Sequence, residues 1–185
     1  GGQRLSRRRA CVVVAAPSTA NEPSRGDKRE RILAAALELF VERGFHGTAV
    51  PALAKHARVG AGTIYRYFDS KEALVNALYQ HWKLAVAGHV GAEVDVTLPP
   101  RDLFSRFWRS TIGFAKQHPR AFAFLELHHH ASYLDDESRA VEQRAALLAQ
   151  SVLDAAKAQG ALKQLPSALL MSIVYGALIG FVRDS

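Results

Sequence analysis

At 185 residues the chain is long enough for one sizeable core, or for a small domain joined to a larger one. A hydrophobic share of 49% and a charged share of 22% exclude the disordered and fibrous classes. The net charge of +7 is unevenly placed: residues 1–71 hold 13 Lys/Arg against 6 Asp/Glu, whereas residues 72–185 hold 11 of each, so the excess points to a polyanionic partner such as nucleic acid.

No run reaches the roughly 18 uninterrupted apolar residues of a membrane span. The single cysteine, Cys11, excludes an intramolecular disulfide framework and a Cys-rich zinc site, and is what a reducing, cytoplasmic compartment tolerates.

Residues 1–27 read as a disordered basic arm. Arg4, Arg7, Arg8 and Arg9 precede the apolar run Ala10 to Ala16 and then a stretch rich in Pro, Ser, Thr and Asn. This order imitates a secretory signal, but an apolar part of about seven residues is at the lower limit for one. The chain starts on Gly and stops inside an apolar helical pattern, so the natural protein is expected to extend further.

From Lys28 to Arg43 the residues Ile32, Leu33, Ala36, Leu37, Phe40 and Val41 recur at the spacing of one helical stripe, and Gly44 suits the left-handed residue that ends a helix. Thr48 is placed to cap a short second helix with Pro51 in its first turn and Val50, Leu53, Ala54 and Ala57 inward. A third short helix spans about Gly60 to Tyr67. Asp69 with Glu72 has the spacing of a capping box, with Ser70 as the alternative cap, and a long helix follows toward Val90. Four more are expected: Arg101 to Gln117, Pro119 to Ser132, Asp136 to Gln159, and Pro166 to the end. No alternating strand pattern occurs, so the fold class is all-α.

Two short helices joined by a three- or four-residue turn pack at a fixed angle when a small residue, here Ala54, faces apolar partners such as Val59 and Ile64. The second helix can then enter a major groove. The run Gly44 to Leu74, and above all Gly62-Thr-Ile-Tyr-Arg-Tyr-Phe-Asp-Ser-Lys-Glu-Ala-Leu74, resembles the DNA-binding head of the TetR family of transcriptional regulators. The resemblance implies a three-helix helix-turn-helix head at 28–71 and a helical effector-binding and dimerising body at 72–185.

It also implies that Thr48, Tyr67 and Lys71 anchor phosphates, that Thr63 touches backbone, and that Tyr65 meets backbone and base. Ala61, Gly62 and Arg66 lie on the outward side of the third helix, and of these Arg66 alone is suited to a bidentate guanine contact. Arg58 stands where the family usually has Gly, at a predicted strain of roughly 1 kcal/mol unless it gains a phosphate contact. Gly60 stands where the family commonly has Ser, and it caps almost as well.

In the body, a pocket for a small effector is expected among Trp82, Phe107, Trp108, Phe122, Glu126 and His129. The triplet His128-His129-His130 with Glu126 invites a metal reading, but successive helical residues point about 100° apart and cannot converge on one ion. No metal or cofactor is therefore expected. In the family the last two helices of each subunit form the dimer interface. The pattern here stops inside such a helix, so exposed apolar surface is expected. The leading reading is a homodimeric repressor on a palindromic operator in double-stranded DNA, released by an effector. The rivals are a metal-dependent enzyme and a sequence-indifferent architectural protein.

Overall fold

All regular structure is helical among the described residues, which in this computed structural model are 28–93, 95, 97–127 and 132–183. The expected arm at 1–27 and the triplet His128-His129-His130 lie outside them. The helices are α1 (Lys28–Arg43), α2 (Val50–Ala57), α3 (Ala61–Tyr67), α4 (Lys71–Glu93), α5 (Pro100–Gln117), α6 (Pro119–Leu127), α7 (Asp136–Ala158) and α8 (Ser167–Arg183). Periodicity places most of their ends within a residue or two. For α6 the residues 128–131 lie outside the described ones, and Ser132, its expected last residue, sits in a turn.

α1 forms because Ile32, Leu33, Ala36, Leu39 and Phe40 share one stripe, and all five are buried. Gly44 ends it at φ 70°, its N–H donating to the carbonyl of Phe40 at 2.9 Å. α4 uses the alternative cap: the Ser70 hydroxyl accepts the N–H of Ala73 at 3.0 Å, while Asp69 is exposed. α7 is capped by Asp135, whose carboxylate accepts the N–H of Ser138 at 2.8 Å.

The expected cap of α2 is not made. Its N-cap is Ala49, without a side-chain bond, and Thr48 is fully buried. The Thr48 hydroxyl lies 2.8 Å from the carbonyl of Gly44 and 3.1 Å from that of Leu39. Its one proton therefore serves the end of α1, and Thr48 closes the α1–α2 loop rather than opening α2.

The main core runs through α1 to α4 and on into α6. Phe40, Leu53, Ile64, Leu74 and Leu78 are buried in one cluster with Phe124 and Leu134. Phe40 stacks on Phe124 with ring centroids 6.4 Å apart, and Phe45, from the α1–α2 loop, stacks on Tyr133 at 4.3 Å. The head thus rests on α6 and on the segment before α7, as well as continuing into α4. Buried Asn76 fastens that segment: its amide donates to the carbonyls of Glu72 and Tyr133, each at 2.8 Å, and its oxygen accepts the N–H of Asp135 at 2.9 Å.

A smaller cluster of Ala115, Phe122 and Leu178, with Trp108 packed against it, joins α5, α6 and α8. α7 packs on α4 and α8, yet the two last helices keep apolar side chains in solvent, as expected. Leu147 and Leu148 are 64% and 69% exposed, and Leu169, Ile173 and Phe181 are also exposed. Among the described residues no helix is long and apolar enough to cross a membrane.

Candidate nucleic-acid interface

α2 and α3 meet through Leu53, Ala54, Ala57 and Ile64, all buried, and the turn between them is closed by the Val59 N–H on the carbonyl of Ala54 at 3.0 Å. That turn requires a left-handed residue, and Arg58 supplies it at φ 54° and ψ 47°. The departure from glycine leaves the geometry intact and is absorbed as strain of about 1 kcal/mol. Arg58→Gly is therefore expected to raise the melting temperature by about 2–4 °C. Arg58 is also exposed, with no ion pair among the described residues. The same change should weaken DNA binding and flatten its salt dependence, read by fluorescence anisotropy at several salt concentrations.

α3 is held on the core by Ile64, and Phe68 follows it inward. Tyr65 is 52% exposed and Tyr67 38%, against 5% for Phe68, which separates the surface tyrosines from the core aromatic. Ala61, Gly62 and Arg66 are exposed with them, and Thr63 is half-buried. A Cβ built on Gly62 meets nothing within 4 Å, so no contact inside the chain requires glycine there.

Two expected phosphate anchors are engaged elsewhere. The Thr48 hydroxyl is turned inward, as described. The Lys71 ammonium donates to the carbonyls of Phe45 at 3.0 Å and Thr48 at 3.1 Å and lies 4.2 Å from the centroid of the Phe45 ring. Two of its three N–H groups thus hold the loop that leads into α2.

Glu38 was invisible to local pattern. One carboxylate oxygen lies 2.6 Å from Nε2 of His56 on α2, and the other accepts from the Arg120 guanidinium at 2.8 Å. These partners are 18 and 82 residues away, beyond any helical spacing.

Of the expected effector residues among the described ones, Trp82 borders a hollow and the others sit at separate places in the body. Trp82 lies edge-on to Phe114 and borders a hollow of about 310 Å³ with Leu37, His118, Pro119, Arg120 and Ala121. Trp108 and Phe122 belong to the α5–α6–α8 cluster, and Phe107 is half-buried on α5. Glu126 sits 3.5 Å from the ammonium of Lys83. His129 lies outside the described residues. A second hollow of about 650 Å³, lined by residues such as His89, Arg106, Arg109 and Gln117, contains none of the expected set. Among the described residues no group of three His, Cys, Asp or Glu is placed to hold a metal ion.

A three-helix head that turns the outer side of α3 to solvent, continuous with a helical body, has the architecture of a helix-turn-helix protein. The family of bacterial regulatory proteins of the tetR type matches residues 32–78, and the tetracyclin repressor-like C-terminal domain matches residues 84–183. The chain belongs to the TetR family. It is 48% identical over 50 residues to the HTH-type transcriptional regulator UidR of Escherichia coli K12, an alignment covering 27% of this chain and 26% of that protein. A tetR family transcription regulator of Shewanella sp. PV-4 is similar at TM-score 0.74 and 26% identity, with 85% of each chain covered. A TetR family protein of Vibrio parahaemolyticus is similar at TM-score 0.67 and 29% identity, covering 85% of this chain and 86% of that one. The chain therefore spans about a quarter of the curated relative and most of the two solved structures.

Proposed function

We propose that the chain is a homodimeric repressor, released from a palindromic operator by a small-molecule effector. Residues 28–71 act as the DNA-binding unit and 72–185 as the effector-binding and dimerising unit, in the cytoplasm and without a catalytic step or cofactor. The observation that carries this reading is the face of α3, where Tyr65, Arg66 and Tyr67 stand in solvent while Ile64 fastens the helix to the core. Arg66 makes no ion pair among the described residues, which leaves its guanidinium for guanine or phosphate. Arg58, Ala61, Gly62 and Thr63 complete the surface.

The apolar α7–α8 face supports the dimer, because Leu147, Leu148, Leu169 and Ile173 leave a patch that a second copy would cover. A two-fold pair then sets two α3 helices in successive major grooves. An effector acts only through unequal affinity for the DNA-bound and free arrangements.

Selection from random duplex DNA at about 0.15 M salt, where nonspecific binding is weakened, tests the reading. A palindromic winner is expected, bound by the parent and lost in Tyr67→Ala and Arg66→Ala. Binding that enriches no sequence and fades with salt would sink the proposal and support an architectural protein.

A further inference from the structure

We infer that the hollow between α1, α4 and the first turn of α6 binds a small molecule with an apolar body and one carboxylate, which competes with Glu38 for Arg120. Its effect on DNA rests on the regulator reading above.

The walls come from three elements. Leu37 of α1, Trp82 of α4, and Pro119 and Ala121 of α6 are apolar, and His118 and Arg120 are the polar residues of the lining. At about 310 Å³ the space matches the lower end of small-ligand sites. The rings of Trp82 and His118 stand 5.4 Å apart at 50°, which makes a corner of two aromatic faces. Burial, and then the neighbouring His89, hold His118 below its ordinary value of 6.5, so it is uncharged near neutral pH. Arg120 is then the one fixed charge in the lining. Apolar walls beside a single guanidinium select an apolar body carrying one carboxylate, because the planar fork donates to two parallel oxygens. An alcohol of the same shape forgoes that pairing.

Arg120 already holds a carboxylate. Its guanidinium donates to Glu38 of α1 at 2.8 Å, and the second oxygen of Glu38 lies 2.6 Å from His56 of α2. A short polar chain thus runs from the body, through α1, to the first helix of the helix-turn-helix. The Arg120 and Glu38 side chains are 61% and 34% exposed, and exposed pairs of this kind are weak. Exchange of Glu38 for a ligand carboxylate is accordingly close to even, and the apolar walls tip it. Once Arg120 turns to the ligand, α6 loses this tie to α1 and Glu38 keeps only His56.

Trp82 and Trp108 are the two tryptophans of the chain, so Trp108→Phe leaves Trp82 emission as a reporter inside the hollow. The full chain with that change is titrated with phenylbutyrate and, separately, with phenylbutanol, while operator binding is followed by anisotropy. Phenylbutyrate is expected to give a saturable emission change, with phenylbutanol at least about tenfold weaker. It should weaken operator binding on the order of fivefold. Arg120→Gln should erase the preference for the acid while leaving the melting temperature unchanged. No saturable change, equal binding of acid and alcohol, or an undiminished preference in Arg120→Gln overturns the site. An emission change with unaltered operator affinity overturns the competition with Glu38. A protein that selects no operator at all refutes the regulator reading instead, and the Trp82 titration still decides the site.

Discussion

Replacing Gly47 by alanine is expected to destabilise the head by about 2–4 kcal/mol and to abolish specific operator binding. A Cβ at this position would press against the carbonyl oxygen of Arg43, well inside van der Waals contact, with the carbonyl carbon at 3.3 Å. The obstacle is backbone at the end of α1, which cannot swing aside as a long side chain would. Relief requires the loop 44–48 to shift, and that loop carries two buried attachments: the Thr48 hydroxyl on the carbonyls of Gly44 and Leu39, and the Phe45 ring on Tyr133. Moving it also displaces Ala49 and the start of α2, so α3, which packs on α2, loses its seat. Gly88→Ala is the matched control. A Cβ there meets nothing within 4 Å, and in a helix interior alanine is favoured by about 1 kcal/mol. The same chemical change should lower the denaturant midpoint at one glycine and raise it at the other. A Gly47→Ala protein that melts with the parent would show that the loop yields freely.

What the sequence made legible was local. The α1 stripe, the turn at Arg58 and the inward Ile64 depend on spacing within a few residues, and each is legible in the sequence. Thr48 misled because a Thr before a short helix looks like an N-cap in isolation. Only the approach of the α1 carbonyls decides that its proton is used inward. Phe45 lies in a loop, where no period announces burial, yet it stacks on Tyr133 and lies under Lys71. Glu38 reads as an ordinary outward charge on α1 until the fold brings α6 beside it. Which aromatics share a wall is illegible in the sequence for a related reason. Aromatic residues at helical spacing report that a helix buries a face, but not which neighbour it faces, and so Trp82 and Phe122 went to different clusters.

Lys71→Met is the second large effect, and it distinguishes holding the loop from holding DNA. Methionine keeps the unbranched apolar stem but removes the donors to the carbonyls of Phe45 and Thr48 and the charge over the Phe45 ring. Hydrogen bonds from a charged donor contribute about 1.5–3 kcal/mol each in favourable settings, and these are partly exposed, so a total loss of about 2 kcal/mol is expected. That corresponds to a melting temperature lower by about 4–8 °C. Operator affinity should fall as well, because the loop sets the entry of α2. A lysine whose main partner is phosphate would behave differently: its removal lowers the slope of log K against log salt by about 1 and leaves stability alone. Arg66→Ala, exposed and without an ion pair among the described residues, supplies that pattern as a reference. For Lys71→Met the expected result is the reverse, a lower melting point with a salt slope close to the parent's. A reduced slope with an unchanged melting point would return Lys71 to the phosphate backbone and make its two carbonyl contacts incidental.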